Sequence, residues 1–302
     1  MKYWFFLLVT MSFSCGKPRP AIVFQTDFGL KDGAVSAMKG VAHEVNPSIP
    51  MFDLTHEIPA YNIWEAAYRL DQTVMYWPAG TVFVSVVDPG VGTSRKPVVL
   101  KTSTGHYVVS PDNGTLGLLA ETLGVAAVRE IDTLNNRRKG SEGSHTFHGR
   151  DIFAYTAARL ASGDIRFEDI GPELNKQVIT IRYQKAVLAG DSVKGNIPIL
   201  DVQYGNVWTN IPDSLIQSAG IQYRDTLSVL ISKNDQEIYS GRIPFVRTFG
   251  DVNEKQLLGY MNSLGNFSVA INMGSFADTF KVASGPDWTI LIRKDKIKPE
   301  QP

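Results

Sequence analysis

Three short stretches in the first half of the chain set carboxylates, an arginine and a histidine beside glycine-containing turns. TDFGLKDG, Thr26 to Gly33, holds Asp27 and Asp32; VVDPGVGTSRKP, Val86 to Pro97, holds Asp88 and Arg95; SHTFHGRDIFA, Ser144 to Ala154, holds Phe147 and His148. A carboxylate at a strand end can accept hydrogen bonds from ligand hydroxyls or pair with an ammonium group. Asp88 precedes a Pro-Gly-Val-Gly turn, so Arg95 can fold back beside it. A histidine ahead of a helix can act as acid or base or orient a water, next to amides that favour negative charge. Plain structural roles stay open for each: helix capping for Asp27 and Asp32, an ion pair closing a turn for Asp88 and Arg95, a satisfied polar contact for His148. The GVG of the second stretch lacks the third glycine and the following helix of a dinucleotide fingerprint. His145 and His148 are spaced like metal ligands but have no acidic or sulfur partner nearby, so no metal is expected. His43, His56 and His106 read as structural.

The second half carries DVQYGNVWTNI, Asp201 to Ile211, and MNSLGNFSVAINMGSFA, Met261 to Ala277. Each joins an apolar or aromatic strand to amides and a small polar residue, a lining suited to a purine that needs stacking and a few edge hydrogen bonds. Tyr204 and Trp208 taken singly read as core.

Elements that would position these residues follow from periodicity. AIVFQT, MFDLTHEI and TVFVSVVDPG read as buried strands, alternating with the helix-like GAVSAMKGVAHEV and NIWEAAYRLDQTVMYW. PVVLKT and YVVSPD read as a pair of strands, and DIFAYTAARLASG as a helix closed by Gly163. This predicts an α/β fold with a mainly parallel sheet over residues 21–180. Beyond Asp169 short alternating strands dominate, predicting a small β-barrel over residues 190–296, with a linker near residues 170–190.

Thirty basic and thirty acidic residues balance in the 302-residue chain, so net charge favours neither nucleic acid nor an anionic membrane surface, and a small molecule is the expected partner. Residues 1–20 read as a signal peptide and short linker, because the apolar run Tyr3–Val9 is about half of the roughly 20 residues a spanning helix needs. Cys15 is the only cysteine and falls where a lipoprotein signal would be cut. The expectation is an exported, lipid-anchored protein of a bacterial envelope, touching membrane only through that anchor. A single cysteine also excludes an intramolecular disulfide.

TDFG, VVDPGVGTSR, FHGRDIFA and YGNVWTN, in this order and at these separations, resemble the adenosyl-forming S-adenosylmethionine hydrolases, relatives of the fluorinases and chlorinases. The resemblance implies an amino-terminal α/β domain, a carboxy-terminal β-barrel, and a homotrimer with sites between subunits. It implies S-adenosyl-L-methionine as substrate, adenosine and L-methionine as products, and no cofactor. Asp27 would hold the ribose hydroxyls, while Asp32 and Asp201, with Ser263, would hold the amino-acid end. Tyr61 and Phe147 would pack against the ligand. Tyr204 would stack on adenine and Asn206 hydrogen-bond it, helped by backbone around Asn272 and Met273. Asp88, Arg95 and His148 match the hydrolases' triad, which presents water to the 5′ carbon. The halogenases differ: this chain has Gly149 where they carry a serine, Ile271 where they carry an arginine, Asp88 where they carry a tyrosine, and no long insertion between Arg95 and Tyr107. The competing readings are halide attack on the same substrate and a lipid-anchored binder of adenosyl compounds without chemistry.

Overall fold

The computed structural model describes residues 20–295; Cys15 and residues 1–19 of the expected signal segment lie outside the described residues. The first half runs β1 (Ile22–Thr26), α1 (Ala34–Val45), β2 (Met51–Thr55), α2 (Ile63–Val74), β3 (Val82–Val86), β4 (Pro97–Thr102), β5 (Tyr107–Pro111), α3 (Gly117–Leu123), β6 (Val125–Glu130), α4 (Tyr155–Ser162) and β7 (Glu173–Leu174). The sheet order is β2-β1-β3-β5-β4-β6-β7.

Neighbours from β2 through β5 pair in parallel, and β4, β6 and β7 extend the sheet antiparallel. The change of direction has a local cause. Only the Ser103–His106 turn, with Gly105 at φ 88°, joins β4 to β5, which is too short for a parallel crossover. Both faces of the central strands are covered. Ile22, Phe24, Val82 and Val84 pack with Met38 of α1, Ala157 of α4 and Phe153 just ahead of it, whereas Val23 and Phe83 pack with Leu70 of α2 and Leu119 of α3. Such two-sided burial explains why these strands read as continuous apolar runs. Order reverses beside β1, which has β2 on one side and β3 on the other, so the loops leaving β1 and β3 open onto a common crevice. Those loops are TDFG and VVDPGVGTSR.

A π-helix, Gly149–Ala154, precedes α4 and replaces what the periodicity predicts as ordinary helix from Asp151 onward. Single π turns within helices recur at functional sites because they re-aim side chains. Gly163, at φ 83°, closes α4 as expected.

The connection into the second half lies against the first: Ile179 N–H donates to Asp112 Oδ1 at 2.9 Å, and Tyr183 packs on Trp64 with ring centroids 5.1 Å apart. Then follow β8 (Val187–Ala189), β9 (Ser192–Asn196), β10 (Ile199–Asp201), β11 (Asn206–Pro212), α5 (Asp213–Ser218), β12 (Thr226–Lys233), β13 (Gln236–Pro244), β14 (Leu257–Met261), β15 (Asn266–Ile271), α6 (Phe276–Phe280) and β16 (Trp288–Lys294). They form two antiparallel sheets, β10-β11-β15-β14 and β13-β12-β16-β9-β8. TLSVLISK of β12 alternates buried and less buried residues with the two-residue period of a strand covered on one face. The inward set, including Val207, Ile211, Leu227, Val229, Phe267, Val269 and Ile290, fills the space between the sheets. The sheets meet along both margins. Phe245, just past β13, bridges Gly259 of β14, and Asn196 N–H of β9 donates to Asn210 Oδ1 of β11 at 2.7 Å. A Cβ at Gly259 would lie 2.9 Å from the Phe267 ring, so glycine permits the approach. Trp64 Nε1 of α2 donates to Pro198 O at 2.8 Å and ties the halves together.

Candidate active site

Asp88 leaves β3 and Arg95 returns to it, as the turn predicts. Arg95 Nε donates to Asp88 Oδ1 at 2.9 Å, and Arg95 Nη2 bonds Asp88 Oδ2. The pair is nearly buried, with side chains 9% and 6% exposed. Arg95 also lies over the Phe153 ring, 5.3 Å from its centroid. Its third partner comes from the start of the π-helix: Arg95 Nη2 donates to His148 Nδ1 at 2.9 Å. A guanidinium only donates, so Nδ1 accepts, and the neutral ring carries its proton on Nε2. Burial, then the Arg95 and Arg137 charges, push the His148 pKa below its ordinary value against the weaker pull of Asp88 and Asp151. His148 is thereby held neutral, with an N–H rather than a lone pair on Nε2.

This cluster borders a hollow of about 260 Å³ lined by Asp27, Phe28, Tyr61, Asp88, Phe147 and His148, among others. Asp27 stands at the end of β1, and its Oδ2 accepts the Tyr61 N–H at 2.9 Å. Tyr61 has φ 69°, and its side chain is 72% exposed. Phe147 meets Phe28 edge-on at 5.9 Å and carries the Arg150 guanidinium 4.9 Å from its centroid. Arg150 in turn makes two hydrogen bonds to the buried Asp151. A Cβ at Gly149 would touch both Phe28 and Phe147 at 3.4 Å, so a side chain there would press on the rings that wall the hollow. Asp32 does not join this group. Its Oδ1 accepts Ala34 N–H at 2.9 Å in a short turn ahead of α1, whose N-cap is Gly33 rather than Asp32.

The second half holds a separate hollow of about 750 Å³, lined in part by Asp201, Tyr204, Asn206, Ser263, Asn272 and Met273. Asp201 and Asn206 face each other across the β10–β11 pair, and Asn206 Nδ2 donates to Asp201 Oδ2 at 3.3 Å. That contact orients the amide, because a carboxylate accepts only. Asn206 Oδ1 is buried and has no hydrogen-bond partner among the described residues. Leaving such an acceptor unmade costs about 1–3 kcal/mol, which a ligand N–H would recover. Tyr204 rides on the intervening turn, 65% exposed, with Gly205 behind it at φ 67°; a Cβ there would run 2.0 Å from Ser275 Oγ. Asn272 lines the hollow and is itself well anchored. Its N–H donates to Gln256 O, its C=O accepts Lys255 N–H, and its Nδ2 donates to Phe249 and Val252 carbonyls, so it braces the wall. Met273 is 69% exposed at φ 52°.

Sequence reasoning passed over Phe28, although it stands inside TDFG, and read as structural His56, whose buried ring bonds Thr26 and Asp53. Nothing in the local pattern distinguishes His56 from any other buried histidine.

A ligand crevice at a sheet's switch point, a linked carboxylate-arginine-histidine cluster and a β domain presenting an open amide together define a two-domain α/β-plus-β enzyme class. Family comparisons agree. The model of the SAM (S-adenosyl-L-methionine) hydroxide adenosyltransferase N-terminal domain matches residues 22–171, and that of the C-terminal domain matches residues 195–289. The chain belongs to the SAM hydroxide adenosyltransferase family. It is 37% identical over 272 residues to the (R)-S-adenosyl-L-methionine hydrolase of Salinispora tropica, spanning 89% of this chain and 96% of that one. It is 32% identical to the enzyme of the same name from Methanocaldococcus jannaschii, over 86% of this chain and 88% of that one. A fluorinase from an Actinoplanes species is 26% identical, over 90% of this chain and 97% of that one. A solved structure of a conserved protein from Thermotoga maritima superposes with a TM-score of 0.83 at 37% identity, covering 90% of this chain and all of that one.

Proposed function

We propose that this protein hydrolyses (R)-S-adenosyl-L-methionine to adenosine and L-methionine by in-line attack of water on the 5′ carbon. The observation that carries the reading is the linked Asp88–Arg95–His148 cluster beside Asp27 in one hollow. The substrate's sulfonium leaves as a neutral thioether, so the leaving group needs no further activation. What the site must supply is a positioned water and a place for its proton. His148 Nε2–H donates to the water oxygen, fixing its direction, while Asp88, fastened by Arg95, takes a water proton on a remaining lone pair. The water oxygen bonds the 5′ carbon as the carbon-sulfur electron pair departs with sulfur. Charged groups locked in place before reaction do not have to reorganise during it, which is where most of the acceleration arises.

On this reading Asp27 holds the ribose hydroxyls through its free Oδ1, and Tyr61 and Phe147 flank the sugar and the reacting carbon. Asn206 Oδ1 accepts the adenine 6-amino group, Tyr204 stacks on the ring, and Asp201 and Ser263 hold the methionine end. Asp32 reaches the ligand only if substrate draws it from the Ala34 amide. The two hollows share no lining residue. Tyr61 and Leu30 stand exposed near the first, and Val202, Tyr204 and Met273 at the second. These features support a site in which one subunit's first hollow meets its neighbour's second, in the homotrimer that the family resemblance implies. Export and lipid anchoring at Cys15 complete the proposal. Incubation with substrate in ¹⁸O-labelled water tests the chemistry: the label should appear in the adenosine 5′ hydroxyl, with methionine in equal amount. A 5′-halo nucleoside in high chloride would mean halide attack, and unchanged bound substrate would mean a binder.

A further inference from the structure

The turn that carries Asp27 is fastened by a directional hydrogen-bond chain whose side chains, those of Asp53, His56 and Thr26, do not line the hollow. Asp53 Oδ2 accepts Lys39 Nζ at 2.7 Å, and Asp53 Oδ1 bonds His56 Nε2 at 2.9 Å. A carboxylate accepts only, so Nε2 donates, and in the neutral ring Nδ1 must accept from its other neighbour, the Thr26 hydroxyl, at 2.8 Å. Thr26 Oγ1 then accepts Phe28 N–H at 3.2 Å. The His56 carbonyl accepts Gly29 N–H at 2.8 Å. The two amides that follow Asp27 are therefore held by Thr26 and His56, which are bonded to each other. Thr26 is fully buried and His56 4% exposed, so neither hydroxyl nor ring has solvent to fall back on. Pairing of β1 with β2 slips register between Phe24 and Gln25, and the chain takes over where regular pairing ends. Burial pushes the Asp53 pKa up, but hydrogen bonds from Lys39 and His56 outweigh it and hold the carboxyl below its ordinary value. The acceptor at the far end of the chain thus stays ionised.

We propose that His56 is a positioning residue for substrate: acting through Thr26 and the Phe28 and Gly29 amides, it sets Asp27 against the ribose diol. This rests on the reading of Asp27 as the ribose ligand. Among the described residues His56 hydrogen-bonds Thr26, Asp53 and Gly29, not Asp27 or the catalytic triad, so its loss should fall on binding of the diol rather than on the chemical step.

The test compares S-adenosylmethionine with its 2′,3′-dideoxy analogue, which has no diol for Asp27 to hold, across wild type, His56→Ala, His56→Gln, Thr26→Val and Asp27→Ala in the full-length protein. His56→Ala should raise KM for the natural substrate about tenfold with kcat within about threefold, and leave the dideoxy analogue within about threefold of wild type. His56→Gln, whose amide can both accept from Thr26 and donate to Asp53, should restore most of the loss. Thr26→Val keeps the side chain's shape and should reproduce the selective rise; it carries the test if His56→Ala fails to fold. Equal weakening of both substrates by His56→Ala or Thr26→Val, or no weakening of either, would overturn the proposal. If Asp27→Ala itself fails to distinguish the substrates, the ribose reading is what has failed.

Discussion

The two hollows are built on opposite terms. Around Asp88, Arg95 and His148 every charged group already has a partner within the chain, and the Asp88 and Arg95 side chains are almost out of solvent. Around Asn206 the contrary holds: a buried acceptor is left open, Tyr204 and Met273 stand exposed, and Met273 and Gly205 adopt positive φ. A group that must present fixed charge to a transition state works best when its geometry is settled beforehand. One that must recognise a ligand keeps a valence for it. Damage should therefore differ in kind between the triad and the Asn206 hollow: loss of turnover and stability at the first, loss of affinity and selectivity at the second.

Arg95→Met should break the first half most severely. It strips Asp88 of its two donors and leaves a buried carboxylate uncompensated, which costs about 3–5 kcal/mol of stability. Turnover should fall by roughly two to three orders of magnitude, as for loss of a preorganised donor. Paired thermal melts and single-turnover rates measure both, and a variant as stable as wild type would mean that the ion pair is not internally satisfied in the way described.

Asn206→Ala should sharpen the contrast. Removing the open acceptor is expected to raise KM about 10–100-fold while kcat stays within a few-fold. The inosyl analogue, which presents a 6-oxo group, should bind worse than the adenosyl substrate in wild type and equally in the variant. A fall in kcat with unchanged KM would erase the distinction between the hollows.

The smallest effect concerns protons. Because burial, Arg95 and Arg137 lower the His148 pKa, the neutral ring persists below the ordinary histidine value of about 6.5, and the acid limb of the kcat profile should lie below it. Arg137→Gln removes one of the charges that depress it, so the limb should move up toward the ordinary value with little change at pH 8. By linkage, an unfolded-state histidine binds its proton first as pH falls, so folding stability declines from about 6.5 downward to the folded-state value. An acid limb unmoved by Arg137→Gln would remove Arg137 from the electrostatics of the site.

Much of this architecture was legible from local pattern. Continuous apolar runs such as VFVSV predict strands covered on both faces; two-residue alternation in DTLSVLISK predicts strands covered on one; Gly163 marks a helix end; and a Pro-Gly turn places Arg95 beside Asp88. These rest on interactions within a few residues or on a periodicity that repeats along one element. The sequence by itself also grouped the motif residues of each half, and the family match follows from those motifs.

Tertiary structure decided what no spacing encodes. Arg95 and His148 stand 53 positions apart and Thr26 and His56 30 apart. Their meeting depends on β1 lying between β2 and β3 and on the segment that starts the π-helix lying beside the loop after β3. Asp32 and Asp27 lie in one motif, yet Asp32 bonds the amide of Ala34 at the start of α1 while Asp27 lines the hollow. Asn272 braces a wall whose partners, Phe249 and Val252, arrive from another loop. Local chemistry selects which conformations a segment can take; sheet order and packing select which distant donor meets which acceptor, and it was that second choice that turned a buried histidine into a support for Asp27.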